Sequence, residues 1–273
     1  MLFRTPKFCK TGFVKQLLPK HASFISDRIA ELGLDDFKAK ILAAAFSGYR
    51  LLGAKQMGTQ AKGSTRFGGH PDLPASFDVA ELEEFEFIYQ VDLADLPDGP
   101  LLGLPGEGIL CVFSCCEPDE GGKTLYFPSR DLVRHRMPDP DPDYIFSDVK
   151  LWKLRIASTV GFAKYGDELF GEIEGAGLSD EYEQLFETEL EKDTGPCFGE
   201  ILGRFSDLNG DMREDAADSC GGKATEWRSL WKVISSFESG LVISDFHRLH
   251  GMIRNRHLDS VDFSKMYTTQ SNG

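Results

Sequence analysis

Thr65-Arg66-Phe67-Gly68-Gly69-His70-Pro71-Asp72-Leu73-Pro74 is the stretch from which the fold can be read. Gly68 and Gly69 can take positive φ, and Pro71 pushes its predecessor into an extended shape, so the segment is a sharp corner. Working outward, short apolar runs bounded by Gly, Pro and Asp follow it: Phe85 to Leu93, Ile109 to Ser114, Lys123 to Phe127 and Leu151 to Ile156. Each is strand length and carries aromatic and β-branched residues, which predicts a β-rich region. Before the corner the period is helical. Phe24, Ile25, Ile29 and Leu32 share one face, with Ser23 as the expected N-cap and Gly33 as the stop. Asp35 opens a second run, in which Phe37, Ile41, Leu42 and Ala45 share a face and Gly48 ends it.

A second set of similar stretches lies far downstream. Leu202-Gly203-Arg204-Phe205-Ser206-Asp207 leads to Trp227-Arg228-Ser229-Leu230-Trp231-Lys232-Val233-Ile234 and then Gly240-Leu241-Val242-Ile243. Both sets run from a Gly turn to an apolar strand to a Gly-led strand, which predicts an internal duplication. The expected fold is α+β: one β-rich domain of two related strand units, about 63–156 and 197–266, with an N-terminal helical pair. The units would be joined by an acidic helical segment, and residues 1–62 would form a basic helical segment packed on the 63–273 domain. Neither unit offers enough strands to bury both faces alone, so one domain is expected rather than two.

The first set, with Phe87-Ile88-Tyr89-Gln90-Val91-Asp92-Leu93 and Pro105-Gly106-Glu107-Gly108-Ile109-Leu110, resembles the YwqG-like family. The shared features are a Gly-Gly-x-Pro-x-Leu-Pro turn, a Gln-x-Asp strand and a Gly-Ile-Leu strand. The tail from Phe246 to Met266 is similar to that family's C-terminal end. The second set departs from the pattern: Val233-Ile234-Ser235 stands where family members often carry Gln-x-Asp. The resemblance covers about residues 40–270 and implies a β-rich α+β fold with no agreed chemistry. Some members lie beside bacterial contact-toxin genes and are thought to act as immunity proteins.

Charge is distributed unevenly. The chain has 273 residues and a formal net charge of −14. Residues 1–62 hold eleven Lys/Arg and four Asp/Glu, and the first 26 hold five cations (Arg4, Lys7, Lys10, Lys15, Lys20) and no acid. Net acidity opposes direct nucleic-acid binding and adsorption to anionic membranes. No stretch approaches the ~20 apolar residues that span a bilayer, and Lys15-Gln16 interrupts any signal-peptide core. Six cysteines show no CxxC and no zinc-finger spacing. The expectation is a cytoplasmic protein with free thiols, no structural metal and no cofactor.

Several motifs invite chemistry and fail. Gly121-Gly122-Lys123-Thr124 imitates a P-loop, but Glu117 stands where the motif needs its first Gly, so the pair reads as a hairpin turn. Asp207, Asn209, Asp211, Asp215 and Asp218 imitate a calcium loop, but Met212 occupies the Gly position. His247 and His250 could share a helical face, yet Arg248, Arg254 and Arg256 would repel a cation. Gly-x-Ser-x-Gly is absent.

Two sites remain. Residues 165–193 carry eleven acids and one base, Lys192. A helix capped by Ser179 and anchored by Tyr182, Leu185, Phe186 and Leu190 would align Glu183, Glu187 and Glu191 on one side. With Asp207, Asp211 and Asp215 these form the expected partner-binding face. The functional expectation is a non-enzymatic acidic binding protein of immunity type, whose partner is a basic toxin domain, plausibly a nuclease. The alternative is a small-ligand or enzyme site between the two units, with Arg66, His70, Gln90 and Asp92 lining it.

Overall fold

A computed structural model describes residues 17–115, 121–128, 131–137, 149–162, 168–186, 195–203, 206–207, 210–241, 243 and 248–271. The chain begins with α1 (Pro19–Glu31) and α2 (Lys38–Ala44), the expected helical pair. α1 starts earlier than Ser23: Pro19 sits at its first turn and Leu18 is the N-cap, its N–H donating to Ser47 Oγ at 2.9 Å. Proline is preorganised for that position and has no N–H to leave unsatisfied, so it overrides the serine signal.

The helical reading of residues 1–62 stops at Ala44, because β1 (Phe46–Gln56) is an 11-residue strand. It is joined in one ten-stranded sheet by β2 (Arg66–Phe67), β4 (Phe85–Asp92), β5 (Ile109–Cys115), β6 (Gly122–Phe127), β8 (Trp152–Gly161), β9 (Cys197–Ile201), β12 (Trp227–Ile234), β13 (Arg248–Arg254) and β14 (Met266–Ser271). The order is β14-β13-β12-β9-β1-β8-β2-β4-β5-β6. Its pairings are antiparallel. The two end strands approach each other: Gly122 N–H donates to Thr268 Oγ1 at 2.8 Å, so the sheet is nearly closed. β3 (Asp72–Pro74) and β7 (Leu132–Arg134) pair as a separate ribbon, and β10 (Ser206–Asp207) with β11 (Gly210–Asp211) as another.

Side chains of a strand alternate faces, so cross-strand rows decide what is core. Tyr49, Ile201, Trp231 and Gly251 form one row, and Trp152, Phe67, Tyr89 and Val112 another. These face the interior, where Tyr49, Phe67, Tyr89, Trp231 and Phe198 are fully buried. The Trp231 indole N–H crosses to Thr124 Oγ1 at 2.8 Å, and its ring occupies the space over Gly251, where a Cβ would sit 2.2 Å from it.

Three smaller apolar clusters cover the sheet from outside. Ile25, Ile29, Ile41, Ile173, Tyr182 and Leu185 join α1 and α2 to α3 (Glu168–Gly175) and α4 (Ser179–Phe186), against Val160 and Phe162. Leu73, Leu132 and Met137 cover β4 and β5. Met212 and Ala216 of α5 (Met212–Cys220) cover Trp227 and Met252. The acidic segment is thus two short helices among the described residues. Among the described residues the stretch Gly240 to Ile243 supplies a single bridge, Ser236 to Leu241, and β13 takes the strand position expected of it. α6 (Asn255–Asp259) leads into β14. Among the described residues no helix is long and apolar enough to cross a membrane.

Candidate functional site

The sequence-nominated pocket residues come together only in part, and around a residue outside the nominated set. Asp72, fully buried in β3, accepts from Arg66 Nη1 (2.7 Å), Gln90 Nε2 (3.1 Å), Arg134 Nε (2.9 Å) and Gly63 N–H (2.8 Å). Gln90 Oε1 in turn accepts from Asp72 N–H at 3.0 Å. Arg66 is also buried and donates to the carbonyl of His70. Burial alone would raise the Asp72 carboxyl, but the hydrogen bonds from Arg134 and Arg66 prevail and lower it to about 2. His70 presents Nδ1 to the Met137 N–H at 3.3 Å. Asp92 points elsewhere, accepting from the Ala94 N–H at 3.1 Å. The corner is therefore a closed polar network that ties β2, β3, β4 and β7 together, and Arg66, His70, Gln90 and Asp92 line neither of the two cavities described below.

A cavity lies on the other half of the sheet. The row next to the aromatic core row is Arg50, Glu200, Lys232 and His250, paired across β1, β9, β12 and β13. Because faces alternate, this row points away from the interior. Lys232 Nζ lies 3.1 Å from Glu200 Oε2, and the pair is nearly buried, with side chains 3% and 11% exposed. His250 Nε2 is 2.8 Å from Ser271 Oγ. A cavity of about 220 Å³ opens over this row, lined by Phe46, Arg50, Thr159, Cys197, Glu200, Lys232, Ile234 and Arg248 together with Val160 and Gly161. Two glycines make room for its walls. A Cβ at Gly161 would lie 2.0 Å from the Phe46 ring, and one at Gly203 would lie 2.0 Å from Glu200 Oε2. Phe46 also borders a second space of about 20 Å³ beside Trp227 and Ser229.

Three cations and one carboxylate thus line one cavity in a chain of net charge −14. The Cys197 thiol is pushed up by burial and by the Glu200 carboxylate, against the pull of Arg50. It therefore stays a thiol near neutral pH and is a poor nucleophile. Sequence reasoning passed over this set. Its local signal is a charged residue set among apolar ones in each run: Arg50 in Phe46–Gln56, Glu200 in Cys197–Ile201, Lys232 in Trp227–Ile234.

The acidic residues are dispersed. Glu183 is exposed on α4, whose Tyr182 and Leu185 are buried. Glu187 and Glu191 lie outside the described residues. Asp207 belongs to β10. Asp211 caps α5, accepting from the Arg213 N–H at 2.9 Å and pairing with its guanidinium at 2.6 Å. Asp215 is exposed in the first turn of α5. A capping turn therefore replaces the imitation calcium loop, and among the described residues no group of three His, Cys, Asp or Glu could hold a metal ion. His250 lies in strand β13, which corrects the helical placement of the histidines; His247 is outside the described residues.

Comparison with known proteins agrees with a fold lacking an assigned chemistry. A family model described as a domain of unknown function (DUF1963) matches residues 65–271, and the chain belongs to that family. No curated protein matches it.

Proposed function

We propose that this chain is a binding protein for a small, negatively charged ligand held in the cavity over Arg50, Glu200, Lys232 and Arg248. The observation that carries this reading is the convergence of three cations on one recess of an otherwise acidic molecule. Guanidinium forks suit planar or multi-oxygen anions, and a nearly buried ammonium is attractive to charge that cannot reach water. The shielded thiol and the Glu200–Lys232 pairing favour binding over nucleophilic catalysis. A ligand that binds only the folded state raises its stability by RT ln(1 + [L]/Kd). Thermal unfolding with sulfate, phosphate and citrate at low ionic strength should show a rise in Tm that Arg50→Ala and Arg248→Ala abolish. A Tm unmoved by any anion at millimolar concentration would sink the proposal.

The immunity-type reading stays as the second, because α4 is built for display: Tyr182 and Leu185 anchor it while Glu183 faces solvent. A basic toxin domain would be the partner and the cytoplasm the place of action. We also keep the YwqG-like resemblance and the two-unit origin as inferences. Arg66 opposite Gln90 and Glu200 opposite Lys232 occupy matching places in two antiparallel meanders, which puts Lys232 rather than Val233 at the Gln90 place and supports a common ancestry.

A further inference from the structure

We infer that the small space at the end of β9 is a binding site for a single chloride-sized anion, held by the Ser229 hydroxyl and the Arg228 guanidinium. This site is separate from the cavity over Lys232 and does not depend on how that cavity is read.

The space exists because one strand stops short of its neighbours. At Ile201, β9 pairs with Tyr49 of β1 and Trp231 of β12, and the next residue, Leu202, takes a φ of 53°. Past that point β1 runs on to Phe46 against β8, and β12 runs back to Trp227 against β13. The gap between them measures about 20 Å³. Arg213, Arg228 and Ser229 give it a polar lining, and Phe46, Leu202 and Trp227 an apolar one. A single water needs roughly 10–15 Å³. The gap therefore admits one guest of that size and excludes phosphate, sulfate and carboxylic acids.

Two donors at the gap are unmatched. Ser229 is 3% exposed, and its Oγ has no hydrogen-bond partner among the described residues. Arg228 is 7% exposed, and its guanidinium makes one hydrogen bond among the described residues, from Nη1 to the Leu102 carbonyl at 3.1 Å. A guanidinium has five N–H donors. Burial lowers the pKa of Arg228 to about 10 against the pull of Asp259, so it is a full cation at neutral pH. It forms no ion pair among the described residues. The contrast with its counterparts is direct: buried Arg66 is met by Asp72 at 2.7 Å, and Arg213 by Asp211 at 2.6 Å.

A buried cation is rarely left without a counter-charge, because desolvation is costly unless an opposite charge offsets it. A water in the gap would satisfy the serine hydroxyl but not the charge. A halide accepts from O–H and N–H donors alike and carries the opposite sign. Size and charge together select chloride, in a molecule whose net charge of −14 repels anions elsewhere.

The test compares thermal unfolding of the full chain in sodium chloride and in sodium gluconate at matched ionic strength, since gluconate is too large for the gap. Chloride well above its Kd should raise Tm by about 3 °C or more relative to gluconate. Ser229→Ala should shrink that difference, and Arg228→Met should abolish it. If Arg228→Met does not fold, the milder Ser229→Ala carries the readout alone. Crystals grown in bromide should show an anomalous peak between Ser229 Oγ and the Arg228 guanidinium. Equal Tm in the two salts would overturn the inference. So would a chloride effect that Ser229→Ala leaves unchanged, or a bromide crystal with water alone beside Ser229.

Discussion

In the β2–β4 half of the sheet, the outward-facing pair Arg66–Gln90 is sealed by Asp72 and Arg134. In the β9–β12 half, the outward-facing pair Glu200–Lys232 adjoins a cavity. Both rows put ionisable groups on a strand face opposite the aromatic core, and both keep them nearly dry. The difference lies in what satisfies them. The corner at Gly68–Pro71 carries the chain back within six residues, so Arg66 receives its counter-ion from a near neighbour, Asp72, on a ribbon that also covers the face. Glu200 and Lys232 satisfy each other across strands, and no comparable ribbon covers them among the described residues. A buried charge with several fixed partners is architecture; a buried pair beside a space is a place where a third group can enter.

Four experiments would break or sharpen this contrast. The largest effect is expected from Asp72→Ala. It strands a fully buried guanidinium and should cost roughly 3–5 kcal/mol in urea unfolding. A loss under about 1 kcal/mol would erase the distinction between the rows. Next, Lys232→Met alone should cost a similar amount, but Glu200→Met/Lys232→Met should return to within about 1 kcal/mol of the parent, since removing both partners of a buried pair is often neutral. Arg66→Met/Asp72→Leu should not recover, because Asp72 also serves Arg134, Gln90 and the Gly63 N–H.

The third test uses pH. The Asp72 carboxyl is lowered from 3.8 to about 2 on folding, so the unfolded chain takes up its proton first as pH falls. Its contribution should be complete above about pH 5 and should disappear between there and pH 2. Urea midpoints measured across that range should fall more steeply for the parent than for Asp72→Asn; parallel curves would remove Asp72 as the cause. The smallest effect concerns Tyr89, whose hydroxyl is fully buried and has no hydrogen-bond partner among the described residues. Tyr89→Phe should be neutral or stabilise by about 1 kcal/mol, since it removes an unsatisfied group. A clear loss of stability would indicate an unseen partner, such as a buried water.

Much of the fold was legible because it is written locally. The runs at Phe85, Ile109, Lys123 and Trp227 became β4, β5, β6 and β12 within a residue or two, and Tyr182 and Leu185 anchor α4 as their spacing predicts. β1 escaped because Ser47, Gly48 and Arg50 interrupt its apolar residues. On a strand Gly48 and Arg50 are outward positions and Ser47 is a buried inward one that accepts from the Leu18 N–H, which only neighbouring elements can reveal. The nominated pocket misled for a related reason: Arg66 and Gln90 do converge, but the corner that brings them together also supplies the groups that close them off.

The sequence by itself determined the periodicities: an amphipathic helical start, short strands punctuated by glycine and proline, and an acidic body with a basic lead-in. These follow from side chains within one or two turns or a few strand residues of each other. Only the tertiary structure decided that Arg50, Glu200 and Lys232 form a single row and that Arg248 reaches the same recess. Their convergence depends on strand register between distant segments. That register is set by packing Tyr49, Ile201 and Trp231 into the interior, and a slip of one residue would turn every one of those charges to the other face.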